Sequence, residues 1–140
     1  MRIGIIVHTV VINSEGKFLL IKRASCEEHY PDLWDIPGGT LEPGEDPIEA
    51  AVREVKEESG LVVTDYELFA YTSKVDLAKN KQFLRLIFKA RYKSGEVVLE
   101  PREHDDYRWI DPADVVNYRA VPYLPAVLKK LQYSLTPDSF

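Results

Sequence analysis

The sequence predicts an α+β fold, a mixed β-sheet covered by helices. Three observations carry this. Stretches rich in Ile, Val, Phe and Tyr recur along most of the chain, one sharply bounded helix interrupts them near the middle, and an amphipathic segment follows near the end. At 140 residues the chain is about one domain's worth. We expect that domain over residues 1–133, with a flexible tail over 134–140.

The elements follow in order. Residues 3–12 and 18–23 read as strands joined by the turn Asn13-Ser14-Glu15-Gly16, a hairpin. Residues 24–33 are polar and irregular, hence a loop. Residues 34–41 form a short extended segment punctuated by Pro37-Gly38-Gly39. The helix has clear ends: Asp46 suits the N-cap, Pro47 the first helical position, and Glu49 stands three residues after the cap. Gly60 is placed to stop it in the left-handed conformation, so the helix spans residues 47–59. Ile48, Ala51, Val52 and Val55 repeat at helical spacing and are expected to face the core. Residues 66–73 and 83–92 are strand-like, separated by a polar loop that includes Asp76, Lys79, Asn80 and Lys81. Residues 97–99 suggest a short edge strand and 107–110 another strand. Asp111-Pro112 then opens a short helix, and residues 125–133 form a terminal one.

Composition excludes several classes. A lone cysteine, Cys26, allows no internal disulfide, which fits a reducing, cytoplasmic setting, and Glu27 and Glu28 beside it disfavour a reactive thiolate. The one long apolar run, residues 3–12, is half the length of a membrane helix, and no membrane partner is expected. The net charge of −5 disfavours a nucleic acid polymer as partner.

That charge is concentrated. Residues 42–58 hold Glu42, Glu45, Asp46, Glu49, Glu54, Glu57 and Glu58 against Arg53 and Lys56, so this segment accounts for the entire excess. Glu54, Glu57 and Glu58 stand at i, i+3 and i+4 and share one surface of the helix, where like charges repel. A solvated acidic face is the ordinary explanation of such a run. A hard divalent cation held between the carboxylates is the functional one, and it would bridge naturally to phosphate oxygens.

The segment resembles the signature of Nudix hydrolases, G-x5-E-x7-R-E-U-x-E-E-x-G-U with U a bulky aliphatic residue. Here it reads Gly39, Glu45, Arg53-Glu54-Val55, Glu57-Glu58 and Gly60-Leu61, with every fixed position matched over 23 residues and a lead-in of Leu33-Trp34-Asp35-Ile36-Pro37-Gly38. The resemblance implies a Nudix-type α/β/α sandwich with a central mixed β-sheet. It also implies hydrolysis of a pyrophosphate bond in a nucleoside diphosphate linked to another moiety, with Mg²⁺ or Mn²⁺ as cofactor. By position, Glu54, Glu57 and Glu58 would ligate metal with help from the Gly39 carbonyl, while Arg53 would pair with Glu45 and orient the catalytic glutamates. A plain helix-surface salt bridge from Arg53 to Glu49 or Glu57 is the structural alternative. Two candidates stand for the general base, Glu54 and the loop residue Glu103, which in some MutT-like members also ligates metal; Glu100 is a nearby competitor.

Substrate class is argued by elimination. The proline of ADP-ribose hydrolases and the tyrosine of the diadenosine polyphosphate class are missing downstream, where Val75-Asp76-Leu77 stands. A MutT-like chain acting on a (d)NTP, with release of a nucleoside monophosphate, is therefore the leading expectation. The alternatives are an ADP-ribose or nucleotide-sugar pyrophosphatase, an isopentenyl-diphosphate-isomerase-like enzyme, or a non-catalytic nucleotide-sensing module. Tyr30, Phe83, Tyr107 and Tyr123 are candidates to stack on a base, and Arg23, beside Lys22, to meet a phosphate. The partner is thus a small nucleotide, and the resemblance allows a homodimer.

Overall fold

In a computed structural model that describes residues 1–134, β1 (Arg2–Ile12) is the spine of a mixed sheet. It runs parallel to β6 (Lys81–Ser94) along its full length, from Arg2 opposite Lys81 to Ile12 opposite Arg91. β5 (Val62–Asp76) pairs antiparallel with β6 and forms one edge. On the other side β1 forks. Its end turns through Asn13–Gly16 into β2 (Phe18–Arg23), and its middle pairs with β4 (Gly38–Thr40) through Ile6–Thr40, Val7–Gly39 and His8–Gly38. β2 in turn carries β3 (Trp34–Asp35) and β7 (His104–Ile110), both antiparallel. The chain from Trp34 to Thr40 therefore crosses from β2 to β1 at the fork, and this brings Gly38 and Gly39 to the centre of the molecule.

Both faces are covered, so Val10, Val11 and Ile12 of β1 and Phe18, Leu19, Leu20 and Ile21 of β2 are successive buried apolar residues rather than an alternating pattern. Val10, Ile12, Phe18, Leu20 and Ile87 pack under α2 (Leu124–Ser134) through Leu124, Leu128 and Leu131. On the opposite face Val11, Leu19 and Ile21 meet Val55 of α1 (Pro47–Ser59), and Val7 and Phe88 meet Ala50 and Ala51. This is the α/β/α sandwich that the resemblance implies. Asp46 caps α1 by accepting from the Ile48 N–H at 2.9 Å, and Gly60 ends it at φ 73°.

The structure corrects several expectations. Ile48 and Val52 do not face the core; they are 45% and 43% exposed. The inward face of α1 is Ala50, Ala51, Val55, Glu58 and Ser59, because small residues and carboxylates let the helix lie close to the glycines of β4. Replacing Val55 with Ala is accordingly expected to cost about 2 kcal/mol or more in urea unfolding, and Val52 with Ala well under 1. Strands β5 and β6 run further than expected and take Asp76 and Lys81 into their ladder, leaving a turn over residues 77–80. Residues 97–99 form no strand; the Val98 N–H donates instead to the Ser59 carbonyl and closes the end of α1. The extended segment at 34–41 is two short strands with different partners, β7 begins at His104, and residues 112–117 wind as a 3₁₀ helix. Ser134, expected in the tail, ends α2, and residues 135–140 lie outside the described residues. Among the described residues no helix is long and apolar enough to cross a membrane.

Candidate active site

The carboxylates of α1 lie against the glycines of β4. Glu58, 9% exposed, accepts from the Gly38 N–H at 3.0 Å. A Cβ on Gly39 would stand 2.5 Å from Cδ of Glu54, so the absence of a side chain makes room for that carboxylate. Arg53 organises the outer side. Its Nε and Nη2 fork onto Glu45 at 2.8 and 3.0 Å, Nη1 donates to Glu54 at 2.8 Å and to Glu57 at 3.4 Å, and Nη2 reaches the Thr40 carbonyl at 3.3 Å. The fork holds the Glu45 carboxyl below the usual range, and Arg53 itself is raised. Glu45 also accepts from the Glu42 N–H at 3.1 Å, which ties the loop before α1 to the same cluster.

Glu103 enters from the loop preceding β7. Its carbonyl accepts from the Ala24 N–H at 2.9 Å and anchors that loop to the end of β2. One ligand atom each of Glu58, Glu103 and His104 lies within 4.8 Å of the other two. Glu54 and Glu57 are turned toward Arg53, so the acidic surface divides into an Arg53-bound part and a part facing Glu103.

Electrostatics separate the two parts. Burial pushes Glu58 well above the usual carboxylate range; the Gly38 hydrogen bond opposes this, while Glu54, Asp35 and Glu103 reinforce it. Burial also raises Glu54 against the pull of Arg53, and it raises Glu103 together with Glu27, Glu100 and Glu57. A divalent cation fits this donor set. The side-chain donors of Glu54, Glu57, Glu58 and Glu103 are all hard oxygens, Gly39 lets the Glu54 carboxylate lie against β4, and burial with mutual repulsion raises Glu54, Glu58 and Glu103.

Behind the carboxylates lies a polar network with no counterpart among the residues singled out from sequence, apart from Tyr123 and Arg23. Asp35 accepts from the Tyr123 hydroxyl at 2.5 Å and from the Ile36 N–H at 2.8 Å, with His8 Nε2 3.7 Å away and Arg23 at 4.0 Å. Burial works to raise Asp35, but these partners outweigh it and hold the carboxyl below the ordinary range. Arg85 donates to His8 Nδ1 at 3.2 Å and lies 3.8 Å from the Tyr123 ring centroid. Burial pushes His104 down to about 4.

The candidates for base stacking and phosphate contact are engaged by protein groups or stand away from the carboxylates. Tyr123 is occupied by Asp35 and Arg85. Tyr107 lines a cavity of about 480 Å³ with Tyr92, Glu96 and Trp109, and Glu54, Glu57, Glu58 and Glu103 are not part of its lining. Lys81 sits over the Phe83 ring, and Tyr30 is exposed in the loop before β3. Arg23 donates to the His29 carbonyl and faces Glu27, and Lys22 pairs with Asp105 at 3.2 Å.

Comparison with known proteins matches residues 3–131 to a family described as NUDIX domain. Nucleoside triphosphatase NudI of Escherichia coli K12 is 33% identical over 117 residues, covering 77% of this chain and 82% of that protein. Among solved structures, a MutT NUDIX hydrolase from Burkholderia pseudomallei superposes with a TM-score of 0.82 at 23% identity, covering 94% of this chain and 99% of that one. A MutT protein from Methanosarcina mazei Go1 gives 0.79 at 25% identity, with 95% of each chain covered.

Proposed function

Because the chain belongs to the Nudix family and is a Nudix hydrolase, we propose that it hydrolyses a nucleoside triphosphate to a nucleoside monophosphate and pyrophosphate with Mg²⁺ or Mn²⁺. The single observation that carries the site reading is the apposition of Glu54 and Glu58 to Gly39 and Gly38, with Arg53 forked onto Glu45 behind them. Similarity to a nucleoside triphosphatase supports the substrate class.

Glu57, Glu58, Glu103 and the Gly39 carbonyl would hold the cation. The chemistry such a cation supplies is neutralisation of phosphoryl charge and acidification of water. Glu54 is the proton acceptor in this reading: Arg53 pins Oε1 and leaves Oε2 unengaged beside Gly39, and burial has already raised its proton affinity. Arg53 is a positioning residue that fixes the Glu54 rotamer through its fork on Glu45. Glu58 is fixed by the Gly38 N–H, and Glu103 by the attachment of its loop to Ala24.

The test is a panel of nucleoside triphosphates, nucleotide sugars and dinucleoside polyphosphates with Mg²⁺, with products identified. Monophosphate and pyrophosphate from a triphosphate are expected. Turnover confined to nucleotide sugars would overturn the substrate class. Glu54→Gln is expected to lower kcat by about 10²–10⁴-fold. A larger loss in Glu103→Gln, with the acid limb of the pH profile removed only there, would transfer the base role to Glu103.

A further inference from the structure

We propose that His104 is a metal ligand, so that Glu58, Glu103 and His104 form a mixed nitrogen–oxygen site for a first-row dication, with Mn²⁺ as its paramagnetic probe. This rests on the reading of Glu58 and Glu103 as cation donors and adds a nitrogen donor to it.

Two independent observations carry the proposal. One donor atom each of Glu58, Glu103 and His104 lies within 4.8 Å of the other two. Three donors spaced evenly about a dication at about 2.2 Å stand about 3.8 Å or less from one another, so side-chain adjustments of up to about 1 Å bring these three into ligation. Second, His104 is 5% exposed, and its Nδ1 is one of two buried side-chain polar atoms among the described residues with no hydrogen-bond partner. A buried, unsatisfied polar atom costs about 1–3 kcal/mol and calls for an explanation. The cation is assigned to Nδ1, and that bond supplies the missing partner.

The placement has a local cause. His104 opens β7 opposite Arg23, and its N–H donates to the Glu100 carbonyl at 2.9 Å, as does that of Glu103. The backbone thus turns tightly at Glu100 and delivers two successive side chains toward Glu58. Imidazole suits the later first-row dications best; Mn²⁺ stands at the weak end of that order, and Mg²⁺ dehydrates reluctantly and keeps to oxygen and water. The chain should therefore discriminate between dications more strongly than its carboxylates alone would.

The test uses the full chain, stripped with chelator and loaded with Mn²⁺, and reads pulsed electron paramagnetic resonance. Nitrogen coupling from one imidazole is expected, lost on labelling-controlled replacement His104→Phe, which keeps a ring of similar shape, and retained in His29→Gln. By calorimetry His104→Phe should bind Mn²⁺ about tenfold more weakly and Mg²⁺ within about twofold of wild type. Mn²⁺ bound without nitrogen coupling, coupling that persists in His104→Phe, or no Mn²⁺ binding would each overturn the proposal; the wild-type spectrum decides even if the variant misfolds. Because the readout is ligation, loss of this proposal with turnover intact leaves the hydrolase reading standing, and nitrogen ligation without triphosphate turnover removes only the substrate reading.

Discussion

Glu58→Gln is expected to lower turnover by on the order of 10³-fold while making the metal-free protein more stable. The first effect follows from its place: it is the most buried carboxylate of the site, fixed on the Gly38 N–H, and loss of several kcal/mol of charge stabilisation corresponds to that factor. The second follows from its electrostatics. Burial raises the folded-state affinity of Glu58 for a proton, with Glu54, Asp35 and Glu103 adding to it. A carboxyl raised in the folded state contributes its full stability below its unfolded value of about 4.5, and that contribution is lost as pH rises through the raised folded value. Metal-free wild type should therefore lose stability between about pH 5 and neutrality relative to Glu58→Gln, which is uncharged throughout and can still accept from Gly38. Urea unfolding in chelator should show the variant more stable by on the order of 1–3 kcal/mol at pH 7.5, with the gap closing toward pH 4.5. Saturating Mg²⁺ should reverse the order, because it binds the folded wild type and not the variant. A variant less stable than wild type in chelator at neutral pH would mean that the buried charge is already compensated by protein groups.

How much of this was legible in the sequence depends on where the determinants sit. The Glu45–Arg53 fork and the apposition of Glu54 and Glu58 to the glycines come from one contiguous segment with clear helix ends, and the resemblance of that segment to the family signature pointed to them where helical spacing offered Glu49 or Glu57 to Arg53. The inward face of α1 was harder. Ile48 and Val52 look like core residues by hydrophobicity, yet the buried surface of α1 is made by Ala50, Ala51 and Val55 together with the carboxylate of Glu58. Hydrophobic periodicity cannot recognise a face whose purpose is to bury glutamates. Asp35, His8, Arg85 and His104 were not legible as a group, because sheet pairing brings β1, β3, β6 and β7 together, with β2 between β3 and β7. The only local hint was Glu103-His104 ahead of a strand, and nothing in the sequence shows that the histidine is buried.

The two glycines of β4 should respond oppositely to the same substitution. Neither has a positive φ, so space rather than backbone strain decides. A Cβ on Gly38 would overlap the Val7 carbonyl and stand 2.5 Å from Cγ of His8, and neither can move without breaking the pairing of β4 with β1. Gly38→Ala is therefore expected to destabilise by about 3 kcal/mol or more and to disturb the donor to Glu58. The nearest atoms to a Cβ on Gly39 all belong to the end of the Glu54 side chain, with Cδ at 2.5 Å and Oε2 at 2.6 Å, and that end can swing away at the expense of its hydrogen bond from Arg53. Gly39→Ala should unfold within about 1 kcal/mol of wild type yet lose on the order of 10²-fold in kcat, since a displacement of about 1 Å in a reacting group costs that much. A double-mutant cycle locates the cause. If Gly39→Ala acts by displacing Glu54, then Glu54→Gln introduced into Gly39→Ala will cost far less than it does in wild type. Additive losses would show that Gly39 serves the reaction through its own backbone, by its carbonyl or its approach to substrate, and would leave the Glu54 carboxylate indifferent to the space beside it.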